Sequence, residues 1–376
     1  RLRKPTPTYS VAFSGSSLNP QPARNPRLRR RAIPPPPPPV LPSSLLEEVF
    51  FRLPPDEPEH LVRASSVCKP WRGIPADAGF RRRYRELHGT PPVLGFFQNM
   101  PRGCRFLPAS AFQPAGSDFR SWVAMDCRHG RVLFRASPNS MDIKARYEFV
   151  VWDPMTGDER RVPLPSLISF AATVAKATSA CLYSSETGLW SEVTSVDNLS
   201  GRDRNMTSII VDGALYFNSI GNYIVKYQLA TLDLSLFKKP IRCSGEVVTT
   251  EDGGLGFACM SSRTLTLWSR ETSPDGALGW SKHRVIDLVT LLPDGGRSTA
   301  TSSRKPYIMR QYGFLSGTQV FFVSTHVGVC MVEIKSGRAK KLLEQLEVEA
   351  VHLFPYASFC IPGNTFVHVT MCNPLL

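Results

Sequence analysis

A small all-α module of three short helices followed by an all-β domain is the fold class that this 376-residue chain predicts. Two observations carry it. Between positions 41 and 90 apolar residues recur three and four apart, the period of a helix face. From Val93 onward they alternate in short runs cut by Gly, Pro, Asp, Asn and Ser, the period of antiparallel strands. A third observation arranges the strands. An apolar strand, a turn holding Thr or Ser, and a second strand return with turns at positions 156, 187, 231, 271 and 336, on average 45 apart. That is the length of a four-stranded propeller blade, so about 275 residues predict about six blades, with a pair of β-sandwiches as the rival arrangement.

The expected organisation is therefore an Arg/Pro-rich disordered tail over 1–40, a helical module over 41–90, a β-propeller-like domain over 91–365 and a C-terminal tail over 366–376. Residues 1–32 carry eight Arg or Lys and no acid, and Pro34 to Pro39 follow as six consecutive prolines with polyproline II geometry. Such a tail suits a transit peptide, a nuclear-localisation patch or an extension without function. With no initiator Met at position 1, the natural start is expected to lie elsewhere.

The net charge of +14 is concentrated in that tail. The helical module has eight basic against seven acidic residues, and the remainder has twenty-nine against twenty-four. A mildly basic folded body gives no general case for nucleic-acid binding. No run approaches the ~18 apolar residues of a membrane span. The nine Cys form no CxxC pair and no zinc-like Cys/His cluster, which predicts free, mostly buried thiols in a reducing compartment and no metal. With no signal peptide read in this sequence, the sequons at Asn198 and Asn205 are expected to be chance matches.

Within 41–90, Pro42, Ser43 and Ser44 with Glu47 have the spacing of a capping box. Leu45, Leu46, Val49, Phe50 and Leu53 make the apolar stripe of a first helix, which Pro54-Pro55 terminates. Pro58, behind Asp56 and Glu57, opens a second helix carrying Leu61, Val62 and Ala64. A third begins at Lys69-Pro70 with Cys68, Trp71 and Ile74, and Pro75 interrupts it. A last helix runs from Phe80 to His88, with Phe80, Tyr84 and Leu87 inward and Arg81, Arg82, Arg83 and Arg85 as its solvated face. Gly89-Thr90-Pro91-Pro92 ends it. Three short helices in under fifty residues expose more apolar surface than they can cover alone, so part of it should meet a partner.

Leu41-Pro42, Leu45-Leu46, Val49, Arg52-Leu53-Pro54, Leu61, Arg63 and the run Val67-Cys68-Lys69-x-Trp71-Arg72 resemble the F-box. That resemblance implies a module that docks on the Skp-type adaptor of cullin–RING ubiquitin ligases. It implies contact with the adaptor, or shaping of the contact surface, by Leu41, Pro42, Leu45, Leu46, Val49, Phe50, Leu53, Leu61, Val67, Cys68 and Trp71. Which of these touch the adaptor and which hold the helices together stays open.

In the β region, strands are expected at Arg131–Arg135, Tyr147–Trp152, Ser208–Val211, Tyr223–Leu229, Thr264–Trp268, Val320–Ser324 and Val329–Ile334. Weak helical character sits at Ala171–Ala177 and Lys341–Glu349. Pro91 to Phe97, Asp126 to Leu133, the Trp152-Asp153-Pro154-x-Thr156-Gly157 turn and Leu267 to Glu271 are similar to the propeller-like domains that follow the F-box in plant families, particularly grasses.

No constellation for catalysis is visible. The seven His sit in no HxH or HExxH motif, and there is no G-x-S-x-G elbow. Asp126 and His129 are expected in a turn, and Gly253-Gly254-Leu255-Gly256 in a hairpin turn. Asp252 and Asp287 are the carboxylates that a glycosidase pair would need. Trp152, Trp190, Trp268 and Trp280 occupy strand positions and are expected in the core.

The resemblance implies a non-catalytic substrate receptor without cofactors, in the cytoplasm or nucleus. The adaptor, and through it a cullin, would be its partners at one end, and an unknown target protein at the other. A non-degradative interaction scaffold and a glycan-binding or glycan-hydrolysing propeller are the alternatives.

Overall fold

The structure, a computed structural model, describes residues 42–101, 103–116, 119–137, 140–165, 177–197, 208–218, 221–243, 245–261, 263–273, 275–292, 310–315, 317–325, 328–344 and 352–359. The Arg/Pro-rich tail, Leu41 and the C-terminal tail lie outside them.

Four helices come first: α1 (Ser43–Arg52), α2 (Pro58–Ser66), α3 (Lys69–Ala76) and α4 (Ala78–His88). The capping box does not form as expected. With α1 starting at Ser43, Ser44 already lies inside the first turn, and the Glu47 carboxylate accepts from Arg83 of α4 at 3.1 Å. Pro75 sits in the last turn of α3, where its missing N–H costs only one helical bond. The chain then restarts at once, because the Asp77 carboxylate accepts from the Phe80 amide at 2.8 Å and caps α4. Leu87 is a correction: it is 64% exposed, and His88 takes the inward place four residues after Tyr84, its Nε2 2.9 Å from the Phe51 carbonyl. Gly89, with φ +66, closes the helix through its N–H to the Arg85 carbonyl.

The β domain is a propeller whose first sheet closes the ring. β1 (Val93–Met100) pairs with β2 (Gly103–Pro108) on one side and on the other with the last strand described below. A second sheet is the meander β3 (Trp122–Arg128), β4 (Arg131–Ala136), β5 (Glu148–Trp152) and β6 (Glu159–Pro163). Next come β7 (Ala177–Ala180), β8 (Tyr183–Ser184), β9 (Leu189–Trp190) and β10 (Thr194–Asp197). Among the described residues β8 pairs with β9 alone and β7 with β10 alone, so these four form one interrupted hairpin and not a four-stranded sheet.

Three full meanders follow. They are β11 (Ser208–Val211) to β12 (Ala214–Asn218), β13 (Tyr223–Gln228) and β14 (Leu234–Lys238); then β15 (Gly245–Thr249), β16 (Leu255–Ser261), β17 (Thr264–Thr272) and β18 (Leu278–Asp287). After the single turn α5 (Leu288–Leu291), the last meander is β19 (Arg310–Phe314), β20 (Val320–Thr325), β21 (Gly328–Glu333) and β22 (Arg338–Leu343). β23 (His352–Ala357) then returns to β1, with Phe97 opposite Phe354.

The structure therefore has five blades, not the expected six or so. The innermost strands β3, β11, β15, β19 and β23 together line one axial pocket, and no described residue of the hairpin is among its lining. An Arg128 guanidinium nitrogen donates to the Ser208 carbonyl, joining β3 to β11 directly past the hairpin. The hairpin is tied instead to outer strands and their turns: Trp190 Nε1 donates to Pro163 at 2.8 Å, and Thr194 donates to Leu232 at 2.9 Å. The turn at position 187 belongs to this hairpin, which is why spacing counted a blade too many.

Burial falls from the inside of each blade outward. The middle strands β16 and β20 are buried almost without interruption, because both faces of a blade pack on neighbours. The outer strands β6, β14, β18 and β22 are largely exposed. All the expected strands are present within a few residues, and Lys341 begins the last three residues of β22 rather than a helix. Residues 171–176 and 345–349 lie outside the described set. One cysteine expectation is overturned: Cys243 and Cys259, 6.5 Å apart at Cα, are joined as a disulfide that β16 and the segment before β15 bring together.

Candidate docking face and axial pocket

The sequence candidates of the helical module divide cleanly by burial. Leu46, Phe50 and Leu61 are inside, the last two in one cluster with Phe80, Tyr84 and Phe359. Trp71 is half-buried and meets Phe50 edge-on at 5.9 Å; Leu53 is also half-buried, and its carbonyl accepts from the Tyr84 hydroxyl at 2.8 Å. These residues shape the module. Leu45 and Val49, by contrast, are each 53% exposed on α1, and Val67 is 65% exposed where α2 meets α3. Pro42 and Cys68 are exposed too.

The division follows from helix geometry. Adjacent positions on a helix point about 100° apart, so an apolar doublet cannot turn both members to the same core. Leu45-Leu46 and Val49-Phe50 each send their second member in and their first out. Leu61-Val62 does the reverse, leaving Val62 exposed. Val62 was not among the candidates, and the doublet is the signal that would have found it. Around this surface the charges are locally paired: Arg52 with Glu48 at 2.8 Å and Arg83 with Glu47 at 3.1 Å, the Arg83 guanidinium also lying 5.1 Å over the Phe51 ring. Arg85 is not merely solvated, since partial burial, with Arg81 nearby, lowers its pKa.

The axial pocket is the second feature. Asp126 and Arg128, two apart on β3 and so on one face, form an ion pair of 2.7 Å there. Burial pushes the Asp126 carboxyl pKa up, and the Arg128 guanidinium opposes it. Across the axis, buried Glu246 accepts from the Phe314 amide at 3.2 Å. The expected turn holds His129 but not Asp126, which lies within β3: His129 and Gly130, with φ of +50 and +73, are the two residues between β3 and β4. Partial desolvation and the neighbouring Arg128 lower the His129 pKa, with Asp126 pulling the other way.

The other candidates have structural employment. Gly253 and Gly254 turn the hairpin between β15 and β16. Asp287 caps α5 through the Val289 amide at 3.0 Å, while Asp252 is held low in pKa by the Thr250 hydroxyl. Trp152 is buried, and Trp280, like Trp190, links outer strands by donating to the Lys238 carbonyl at 2.9 Å. Among the described residues no three His, Cys, Asp or Glu side chains gather as a metal would need.

Comparison with known proteins bears on the helical module. The F-box domain family matches residues 39–82, the segment containing α1 to α3 and the start of α4. F-box domains bind Skp-type adaptors within cullin–RING ligases. No curated protein sequence matches the chain. Among solved structures, the chain is similar to a functionally unknown protein from Desulfotomaculum acetoxidans, at 12% identity over 72% of this chain and 89% of that one, with a TM-score of 0.39. It is also similar to the extracellular domain of a putative one-component system from B. thetaiotaomicron, at 11% identity over 69% of this chain and 28% of that one, with a TM-score of 0.24.

Proposed function

We propose that this chain is the substrate-receptor subunit of a cullin–RING ubiquitin ligase. Residues 41–90 dock the Skp-type adaptor, and the β domain over 91–365 recruits a target protein. The ligation chemistry belongs to other subunits, and this chain contributes proximity and orientation in the cytoplasm or nucleus. The observation that carries the proposal is the outward half of α1, where Leu45 and Val49 stand exposed in a segment that matches the F-box family. Apolar side chains that a small module leaves in water, beside a well-packed core, favour helix-in-groove docking. The same criterion assigns Val62, Val67 and Cys68 to the contact and Leu46, Phe50 and Leu61 to its support.

The test is capture of a Skp-type adaptor by the full chain and by a Leu45→Ala/Val49→Ala variant. Burying each of these side chains is worth ~1.5–3 kcal/mol, so losing both should weaken binding by ~100-fold or more. Thermal stability should not change, because both are exposed in the free chain. Leu46→Ala should do the opposite, lowering stability by ~2–5 kcal/mol through a cavity. Alkylation of Cys68 adds an independent readout: the exposed thiol should be protected when the adaptor is bound. Undiminished capture by the double variant, or no capture by the intact chain, would overturn the proposal.

A further inference from the structure

Two features of the described residues join the helical module to the propeller. One is covalent, the short segment from Gly89 to Pro92. A single such linker, beginning with a glycine at φ +66 and an exposed threonine, would let the helices swivel on the propeller. The second is Phe359. It lies two residues beyond β23, the strand that closes the ring, and is 8% exposed. Its ring is buried in the cluster formed by Phe50, Leu61, Phe80 and Tyr84, in which every other buried member comes from the helices.

The contact is built from both sides. The Ser358 amide donates to the Pro92 carbonyl at 3.3 Å, extending the β1–β23 ladder into the linker. The β23 end is fixed to the second blade by the Tyr356 hydroxyl, which donates to the Gly130 carbonyl at 3.1 Å. On the helical side, Phe359 meets Tyr84 edge-on at 5.9 Å. Tyr84 in turn holds the end of α1 through the Leu53 carbonyl and lies 4.3 Å from the His88 ring. A continuous line of packed and hydrogen-bonded groups thus runs from the closing strand to the helix that carries Leu45 and Val49.

We propose that Phe359 is a positioning residue that fixes the direction of the docking helices relative to the propeller. Its consequence for function rests on the adaptor docking proposed above, but its geometry does not. In a ligase, where the acceptor lysine must be brought to a distant active centre, a fixed angle decides which part of a bound target is within reach.

The experiment uses the full chain with a fluorophore pair introduced by unnatural amino acids at exposed Arg63 on α2 and Lys335 in the β21–β22 turn. Single-molecule energy transfer, far-UV circular dichroism and adaptor capture are then compared for wild type, Phe359→Ala and Phe359→Leu. The expected result is one narrow distance distribution for wild type and Phe359→Leu. For Phe359→Ala it is a broad or shifted distribution with unchanged helical signal and unchanged adaptor affinity. A Phe359→Ala distribution that matches wild type would overturn the proposal. So would loss of the helical signal in that variant, which would make Phe359 an ordinary core residue of the module. Failure of wild type to capture the adaptor, with the broadening still present, would sink the ligase reading and leave the positioning role standing.

Discussion

Leu45 and Leu46 differ by one position and nearly by half a surface: 53% exposed against 6%. At this scale the chemistry of a residue is legible in the sequence, but its side of the helix is not, because the helical stripe of α1 is wide enough to serve two faces. Only the packing of α4, with Phe80 and Tyr84, chooses which half is the core. His129 shows the same limit. Its place in a turn was readable from the Gly that follows. The Arg128 charge beside it was not. Although the side chain is exposed, partial desolvation and then Arg128 depress the imidazole pKa below the ordinary 6.5, so the folded state holds its proton less firmly than the unfolded chain. Stability from this group is full above 6.5 and should be lost as pH falls from there through the depressed value. His129→Asn, tolerated at positive φ, should reduce that acid-side loss in pH-dependent thermal denaturation. Asp126 acts with the opposite sign at lower pH: its raised pKa makes stability fall as pH rises from its ordinary 3.8 through the folded value.

Among the elements, α4 is the one on which the helical module depends most. It supplies Phe80 and Tyr84 to the core, and Arg83 bonds back to α1. Its start is set by one side chain, Asp77, whose carboxylate accepts from the Phe80 amide, a first-turn donor with no helical partner of its own. Asp77→Ala should cost ~0.5–2 kcal/mol, read as a lower thermal midpoint and faster amide exchange at Phe80. Strands were easier to anticipate than their grouping. Alternation marks β4 and β17 directly, and the repeated Thr- or Ser-bearing turn does lie between the third and fourth strands in most blades. The turn at 187 has the same local chemistry but joins β8 to β9 in an outer hairpin. Turn residues report a local reversal of the chain, not which sheet the reversal belongs to.

The whole molecule is decided by closure. β23 comes back across the full β domain to pair with β1, filling the innermost place of the first blade and burying Leu353, Phe354 and Tyr356. At ~1.5–3 kcal/mol for each such side chain, their loss is comparable to the ~5–15 kcal/mol that keeps a domain folded. A chain ending at residue 351 should therefore lose its single cooperative calorimetric transition, and with Phe359 gone it should also loosen the docking helices. Persistence of one transition at the wild-type midpoint would show that the ring does not need this strand. The sequence by itself determined what is periodic and local: a helical module that matches the F-box, short strands after Val93, and turns where Gly, Pro and Asp permit them. The tertiary structure alone decided the number of blades, the outward half of α1, the Cys243–Cys259 bond and the seating of Phe359 among the helices. Each of these depends on contacts between residues far apart in the chain, and no local pattern encodes which distant partners will compete successfully for the same buried space.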